Sequence, residues 1–399
     1  AGAAGAGGVA ASGAQGAPAP PPSRRRQRFD TALGATSVDK KALADLSWSG
    51  VPEGLSRCEV WQLLLGYRPL TQGRRAEAMQ RKREEYLDLR RSLYDASPAL
   101  ASDAEPATGS GAGASEAAGG ADSEAALLKQ IRKDVPRTRL RPGGALCQVQ
   151  ADLLVESPRI QSFMERVLFV WAVRQPASGY VQGLNDVLML LIVVGLADES
   201  RLPVDRLSTE LLGAVSEERF AEIEADCYWC LTQILSEIFD HYTHGQPGIQ
   251  RMVQRLKEII RRIDAPLAAH LEAQCVDLSV TYLRWITCLM VRELPTACCA
   301  RLWDTLIAES AQAVGHVRGS SDCGSAGFEA LLVYFCACFT AYFSQRLQEM
   351  DFEAITFFLQ QMPTDGFADR EVEVLLGEAF VLKSLFQQAP RHLCGSEAG

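Results

Sequence analysis

Apolar residues recur at helical spacing along most of the sequence after about Leu46. The clearest case is GIQRMVQRLKEIIRRI, residues 248–263, where Ile, Leu, Met and Val side chains share one face and Arg and Lys side chains share the other. No strand-period alternation and no Asn-Gly hairpin signal stands between the apolar runs. The pattern therefore predicts an all-α fold. Helices are expected over residues 54–66, 74–95, 124–134, 149–174, 180–196, 206–241, 248–263, 265–275, 278–292, 296–309, 326–348, 351–361 and 369–388.

Low-complexity stretches set the limits of the folded part. Residues 1–45 are rich in Ala, Gly and Pro, and residues 96–122 read ASPALASDAEPATGSGAGASEAAGGAD. Such compositions bury too little apolar surface to fold alone. We therefore expect a disordered tail over 1–45, one domain over 46–393 with a flexible insertion at 96–122, and a short tail over 394–399.

The most apolar run, VLMLLIVVGLA at 187–197, has eleven residues. A bilayer crossing needs about 20 residues, so this run predicts a buried core helix and no integral membrane segment. The basic face of 248–263 fits either a membrane surface or plain solvation, and the pattern leaves both open. The chain begins AGAAGAGGVA without a methionine, so we expect an excerpt of a longer sequence; no signal peptide is visible.

Composition narrows the class of protein. Of the 399 residues, 47% are hydrophobic and 22% are charged, as in ordinary globular domains. The net charge of −9 argues against a nucleic-acid partner, because nucleic-acid-binding domains usually carry a basic excess.

Twelve cysteines are present, and six of them stand in apolar helical stretches, where a free thiol packs as a small hydrophobe. These are Cys275, Cys288, Cys298, Cys299, Cys336 and Cys338. We therefore expect no disulfide framework and a reducing compartment, the cytoplasm. The C-x-x-C from Cys227 to Cys230 has no second pair at zinc-like spacing, and His241 and His244 lack a nearby third ligand, so no metal site is expected.

The motifs of self-contained nucleotide-hydrolysing and hydrolytic enzymes are absent from the sequence. There is no G-x-x-x-x-G-K-[ST] phosphate loop, no G-x-S-x-G, no H-E-x-x-H and no kinase signature set. We expect neither a hydrolytic activity of the chain's own nor a cofactor of its own.

The stretch IRKDVPRT, residues 131–138, places an arginine on a stiff turn. Pro136 lacks an amide hydrogen and drives Val135 out of the helical region, so the helix should end near Asp134. Arg137 then lies on a surface turn with part of its freedom already lost, which favours bidentate engagement of an anion. Asp134 is close enough in sequence to orient it. Taken alone, these residues favour a loop arginine with no catalytic task over a catalytic one.

A second stretch, RQPASGYVQGLNDVLMLL at 174–191, breaks the chain at Pro176 and Gly179 and then begins an apolar helix. Its polar side chains near the new helix start are Tyr180, Gln182 and Asn185. Gly183 leaves room for another backbone to approach.

An arginine and a glutamine of this kind are the pair that speeds GTP hydrolysis. The arginine neutralises charge on the transferring phosphoryl group, and the glutamine aligns the attacking water. Arg137 and Gln182 are therefore candidates for a joint catalytic role supplied to a partner.

At these residues the sequence resembles the TBC-domain proteins that activate GTP hydrolysis by Rab GTPases. Their fingerprints I-x-x-D-x-x-R-T and Y-x-Q-G stand here as Ile131, Asp134, Arg137, Thr138, Tyr180, Gln182 and Gly183. Other matching positions are Arg57, Trp61, Leu64, Gly66, Arg284, Trp285, Pro295, Trp303 and Asp304. The resemblance covers about residues 46–393, and the flanking PASGYVQGLND and MVRELP look most like the branch called TBC domain family member 22.

The resemblance implies a V-shaped all-helical domain that inserts two fingers into a GTP-bound Rab. Arg137 would enter the nucleotide pocket, and Gln182 would align water in place of the GTPase's own glutamine. Asp134 and Thr138 would hold the arginine loop, while Tyr180, Gly183 and Asn185 would shape the contact with the GTPase; these roles are implied by the family and not by spacing. The nucleotide would be the partner's Mg-GTP, and the working place the cytosolic face of endomembranes.

The remaining motif positions are interpreted as scaffold. Arg57 and Arg284 are expected to be ion-paired, and Trp61, Trp285 and Trp303 to be core residues. Asp304 is expected to orient helices, and Ile131 to pack beneath the arginine loop. Two other functions stay open: a TBC-fold scaffold that binds a GTPase without accelerating it, and a helical adaptor with no GTPase partner. The sequence names neither the Rab nor the oligomeric state.

Overall fold

A computed structural model describes residues 23–101, 116–313 and 327–388. Within those residues the chain forms nineteen α-helices and no β-strand, so the predicted all-α class is confirmed. In chain order the helices are α1 (Arg24–Gly34), α2 (Lys40–Ser47), α3 (Arg57–Leu64), α4 (Arg75–Leu89), α5 (Pro98–Ala101), α6 (Glu116–Asp134), α7 (Gln148–Glu156), α8 (Pro158–Arg174), α9 (Leu184–Ser200), α10 (Thr209–Ala214), α11 (Glu217–Glu237), α12 (Pro247–Ile263), α13 (Ala265–Ala273), α14 (Ser279–Thr287), α15 (Thr296–Ala313), α16 (Phe328–Tyr342), α17 (Ser344–Gln348), α18 (Phe352–Gln360) and α19 (Asp369–Gln388).

Helix α9 lies in the middle of the core. Residues 184–197 are all buried, and the helix packs against α3, α8, α11 and α15. An α-helix that is apolar on every side must be covered on every side, which is why the run at 187–197 is interior. The predicted core helix is confirmed. No helix in the described ranges combines the length and the apolar character that crossing a membrane requires.

Helix α15 connects distant parts of the chain through one buried carboxylate. Asp304 is fully buried and accepts hydrogen bonds from Nε of Arg57 at 3.0 Å, Nε1 of Trp61 at 2.7 Å and the amide of Val51 at 2.8 Å. A buried charge is tolerated when its lone pairs are satisfied in this way. Asp304 therefore fastens α3 and the loop before it to α15.

The other motif positions also lie in the scaffold. Nε1 of Trp303 donates to the carbonyl of Leu289 at 3.1 Å, and Trp285 is fully buried. Arg284 pairs with the buried Glu293, with 2.7 Å between Nε and Oε1. These contacts hold the turn after α14 against α15.

The amino-terminal segment differs from the expected disordered tail. Residues 1–22 lie outside the described part, but from residue 23 onward α1 and α2 are formed. The reason is that the arginines of α1 have partners: Arg25 donates to the carbonyl of Gly50, and Arg26 donates to the carbonyl of Glu53 at 3.1 Å. Phe29 on the same helix is fully buried. The domain therefore begins earlier than residue 46.

The expected insertion at 96–122 is also shorter than predicted. Helix α5 and the first turns of α6 lie inside that range, and residues 102–115 are outside the described part. The two helices pack on each other, and the Ser97 hydroxyl donates to the Glu124 carboxylate at 2.7 Å. The expected tail at 394–399 lies outside the described residues.

Several predicted helices are divided or shortened. The expected helix over 149–174 is two helices, because Pro158 lacks an amide hydrogen and starts α8 afresh. The one over 206–241 is interrupted between α10 and α11, where Ser216 caps the new helix through the amide of Arg219. Cys275, expected inside a helix, is exposed beyond the end of α13 with φ +54°.

The basic face of α12 is occupied by partners within the chain. Arg251 pairs with Asp240, Arg261 pairs with Glu272 at 2.9 Å, and Nη2 of Arg255 donates to the Tyr334 hydroxyl at 2.9 Å. These contacts favour the interpretation of an ordinary solvated and ion-paired face over a membrane-binding one.

The Asp304 contacts predict a large loss of stability on truncation. Asp304→Ala leaves a guanidinium, an indole N–H and an amide without their acceptor, and we expect it to lower the free energy of unfolding by about 3–5 kcal/mol. Urea denaturation measures the loss. The control is Asp88→Ala, whose carboxylate is 72% exposed beside Arg91, and we expect a change within about 0.5 kcal/mol. Equal losses in the two variants would contradict the assigned role of Asp304.

Candidate functional site

The arginine loop, residues 135–141, begins where α6 ends. That helix ends at Asp134, as predicted from Pro136, and a single 3-10 turn at Val135–Arg137 follows. Val135 is buried and fixes the turn, whereas Arg137 is exposed. Within the described residues the Arg137 guanidinium makes neither a hydrogen bond nor an ion pair. The loop therefore presents a free guanidinium from a fixed backbone.

The glutamine loop, residues 175–183, connects α8 to α9. Helix α9 begins at Leu184 and not at the predicted residue 180, so Tyr180 and Gln182 lie in the loop before it. Gly183 caps the helix with φ +110°, a conformation that side chains rarely allow. Gln182 is exposed and, in the described part of the chain, has no hydrogen-bond partner.

Asn185 joins the two loops. Its side chain is 1% exposed. Nδ2 donates a hydrogen bond to the Thr138 hydroxyl at 2.9 Å, and Oδ1 accepts one from the amide of Gly183 at 3.1 Å. The Tyr180 hydroxyl lies 3.4 Å from the same Oδ1. Thr138 is the neighbour of Arg137, and Gly183 is the neighbour of Gln182. One carboxamide therefore contacts the immediate sequence neighbours of both exposed side chains.

Asp134 and Ile131 support the arginine loop from below. Ile131 is fully buried, and Asp134 is 2% exposed. The Asp134 carboxylate accepts a hydrogen bond from Nε2 of Gln130 at 2.8 Å. Asp134 was expected to orient Arg137 directly, but no ion pair joins the two in the described structure. Its carbonyl instead lies 3.5 Å from Nδ2 of Asn185.

Burial raises the pKa of Tyr180, and the charge of Asp134 adds to the effect, so this hydroxyl stays protonated at neutral pH.

A buried ion pair that the sequence motifs do not predict lies beneath both loops. Asp186 is fully buried. Its Oδ1 accepts a hydrogen bond from the amide of Arg139 at 3.2 Å, and its Oδ2 accepts one from Nε of Arg292 at 2.8 Å. Burial raises the pKa of Asp186, and the charge of Arg292 opposes that shift. The acidic residue in the first turn of α9 was a local signal, but nothing in the sequence connects it to an arginine more than a hundred positions away.

The packing of Gly183 differs from the expected approach of another backbone. A Cβ at this position would lie 2.9 Å from Cγ2 of Thr287 and 3.1 Å from Sγ of Cys288, both in this chain. The glycine is therefore required by the fold of the chain itself, whatever partner it meets.

The chain resembles known protein domains in sequence and in fold. The family model described as the Rab-GTPase-TBC domain matches residues 115–348. The crystal structure of the Ypt/Rab-GAP domain of Gyp1p superimposes with a TM-score of 0.73 at 31% identity, covering 91% of this chain and 98% of that one. The chain belongs to the Rab-GTPase-TBC domain family.

Full-length relatives of this TBC domain are longer than the chain. GTPase-activating protein gyp1 of Schizosaccharomyces pombe is 36% identical over 373 residues, which cover 92% of this chain and 63% of the relative. TBC1 domain family members 22A and 22B of Homo sapiens are 33% and 34% identical, each aligned with 92% of this chain and with 62% and 63% of their own lengths. The chain thus spans somewhat under two thirds of these relatives. The resemblance to the family and to its member 22 branch is confirmed.

One cluster of possible metal ligands in the TBC domain has partners of its own. Ligand atoms of Asp240, His241 and Glu329 lie within 4.8 Å of one another. Asp240 is paired with Arg251, and Nε2 of His241 lies 2.6 Å from the Glu329 carboxylate. These contacts within the chain involve all three side chains, and the absence of a metal site stays a prediction.

The conformation of Gly183 predicts a cost for any side chain. Gly183→Ala adds a clash to an unfavourable φ, and we expect it to lower the free energy of unfolding by about 1–3 kcal/mol. The control is Gly213→Ala in α10, where an added Cβ meets nothing within 4 Å; there we expect no loss, since alanine favours a helix. Urea unfolding of both variants is the measurement. A neutral Gly183→Ala would show that this turn tolerates a side chain.

Proposed function

We propose that the chain is a GTPase-activating protein for Rab-family GTPases, with Arg137 and Gln182 supplied in trans. The observation that carries the proposal is that both side chains are exposed and unpartnered, while Asn185 fastens their loops together. In the described parts of the chain, most arginines contact an acid, a carbonyl or an aromatic ring. A guanidinium on an ordered turn that has no partner within the chain is suited to bind an anion of another molecule.

The proposed chemistry divides between the two fingers. The Arg137 guanidinium would neutralise charge on the γ-phosphoryl oxygens as the bond between the γ-phosphorus and the bridging oxygen of the leaving GDP breaks. The Gln182 carboxamide would donate to and accept from the attacking water and so fix its direction. The nucleotide and its Mg²⁺ belong to the partner, and the chain would need no cofactor.

The buried polar contacts support such a role because positioning is most of what this reaction needs. Two loops that move independently would meet the nucleotide in many geometries, whereas loops joined through Asn185 meet it in few. Tyr180, beside Asn185, and Thr138, which accepts its hydrogen bond, would act as positioning residues for the fingers and not as reacting groups.

The relatives support the same partner class. The S. pombe relative is named a GTPase-activating protein, and the solved structure is titled a Ypt/Rab-GAP domain. Because Rab GTPases are membrane-anchored, we place the working site at the cytosolic face of endomembranes, where hydrolysis would regulate vesicle traffic. A scaffold that binds a GTPase without stimulating it would have no need of two free fingers.

The proposal predicts loss of stimulation without loss of fold. On a panel of GTP-loaded Rabs, phosphate release should rise with the unsubstituted chain, and Arg137→Ala should lower the stimulated rate by about a thousand- to a hundred-thousandfold. Gln182→Ala should also lower it strongly. Both variants should keep the melting temperature, since neither side chain has a partner to lose.

The matched control is Arg81→Ala, which removes an exposed arginine of α4 remote in sequence from both loops. It should stimulate like the unsubstituted chain. A panel in which no Rab exceeds its intrinsic rate would contradict the proposed activity. Full stimulation by Arg137→Ala would contradict the assignment of the finger.

A further inference from the structure

A short segment beneath the two finger loops contacts both of them. This segment, residues 287–296, is called the platform here. Thr287 and Cys288 pack against Gly183 of the glutamine loop, and the amide of Thr296 donates to the carbonyl of Arg141 in the arginine loop at 3.1 Å. The platform therefore lies under both loops, although it is far from each of them in sequence.

The platform has an unusual backbone. Leu289 and Met290 have φ of +47° and +66°, and both side chains are fully buried. Bulky residues in this left-handed conformation persist only where the surroundings enforce it. Here Nε1 of Trp303 donates to the Leu289 carbonyl at 3.1 Å, and the Met290 amide donates to the Trp285 carbonyl at 2.9 Å. The turn reverses the chain after α14 and directs Arg292 back toward α9.

Arg292 there meets the buried carboxylate of Asp186. Nε of Arg292 lies 2.8 Å from Oδ2, the thiol of Cys288 lies 3.7 Å from the same oxygen, and the amide of Arg139 lies 3.2 Å from Oδ1. One carboxylate in the first turn of α9 thus contacts the platform on one side and the arginine loop on the other. Cys288, which touches Asp186, also packs against the glycine that follows Gln182.

A second ion pair, between Arg284 of α14 and Glu293 of the platform, offers an internal comparison. Arg284 and Glu293 are 2.7 Å apart, and their side chains are 28% and 1% exposed; the values for Arg292 and Asp186 are 26% and 0%. The two pairs have nearly the same length and burial. Arg284, however, donates to the carbonyls of Leu359 and Gln360 in α18. Among the described residues, the side chains of this pair make no hydrogen bond or ion pair with either finger loop, and of the loop residues only the more distant charge of Arg141 acts on Glu293.

We propose that the Asp186–Arg292 ion pair is a positioning device that holds the arginine loop and the glutamine loop in one fixed register. The inference rests on the proposed function for its catalytic consequence, but the coupling of the loops is a property of the chain alone. Asp186 and Arg292 are positioning residues, since they act through the backbone of Arg139 and through the turn at Gly183.

The test compares two isosteric changes, Asp186→Asn and Glu293→Gln, in the full chain. Each removes the charge of one buried carboxylate and keeps its shape, so the general loss of stability is matched. In Asp186→Asn, amide hydrogen exchange over residues 135–142 and 179–186 should be about tenfold faster than in Glu293→Gln, because local opening no longer breaks a charged hydrogen bond. Equal exchange in the two variants would overturn the proposal.

The kinetic arm uses the Rab that responds most strongly in the panel. Asp186→Asn should lower the maximal rate of phosphate release by about ten- to a hundredfold, with KM for the GTPase changed by less than about threefold, whereas Glu293→Gln should leave the maximal rate nearly unchanged. Combined with Arg137→Ala, the Asp186→Asn change should lower the rate by less than about twofold more, because little stimulation is left to lose once the arginine finger is removed. A maximal rate for Asp186→Asn equal to that for Glu293→Gln would also overturn the proposal.

Two outcomes separate this inference from the proposed function. If no Rab responds to the unsubstituted chain, the proposed function fails, and the exchange measurement alone decides whether the loops are coupled. If Asp186→Asn does not fold, Arg292→Lys replaces it: the charge opposite Asp186 is kept and the planar guanidinium is lost, so loop exchange should again exceed that of Glu293→Gln.

Discussion

The site depends on a buried carboxamide that must satisfy its polar atoms inside the protein. Asn185 is almost fully buried, so its side chain loses its hydrogen bonds with water on folding. Hydrogen bonds with Thr138 and Gly183 replace them. Moving either loop would leave buried polar atoms without partners. The cost of such atoms, and not any attraction between the two exposed fingers, therefore keeps the loops adjacent.

Two buried carboxylates, Asp304 and Asp186, also join segments that are distant in sequence. Asp304 joins α3 and the preceding loop to α15 by accepting from three donors, and Asp186 joins the arginine loop to the platform by accepting from Arg139 and Arg292. Both carboxylates are fully buried and both belong to helices that are buried on nearly every side. Apolar packing brings these helices together without fixing their register, and the carboxylates supply the directional contacts that do so.

The helices themselves could be predicted from periodicity, because an apolar stripe or an all-apolar run reflects local geometry. The predictions failed where structure depends on non-local partners. Helix α1 was included in the disordered tail expected over residues 1–45, because the carbonyls of Gly50 and Glu53 that its arginines contact cannot be seen from composition. The break at Pro158 carried a local signal and could have been found.

The candidate site shows the same division. The identity of Arg137, Gln182 and Asn185 was available from short motifs, because their neighbours in sequence carry the turn chemistry. The partnership of Asp186 with Arg292 was not, since it depends on how α9 packs beside the turn after α14. Local sequence therefore identifies what the loops present, and tertiary packing determines how firmly they present it.

The absence of partners for Arg137 and Gln182 in the described structure has an energetic consequence for the proposed docking on a GTPase. An arginine held in an ion pair would have to break that pair before engaging a phosphate, at a cost of about 1.5–3 kcal/mol for a charged hydrogen bond. Arg137 has no such contact in the described structure, whereas Asn185 below it is saturated. The polar bonds that order the loops are thus formed on folding, and the exposed groups keep their full capacity for a partner. Since the ordering contacts lie inside the chain, surface residues around the loops can change to suit different partners without disturbing the geometry of the fingers.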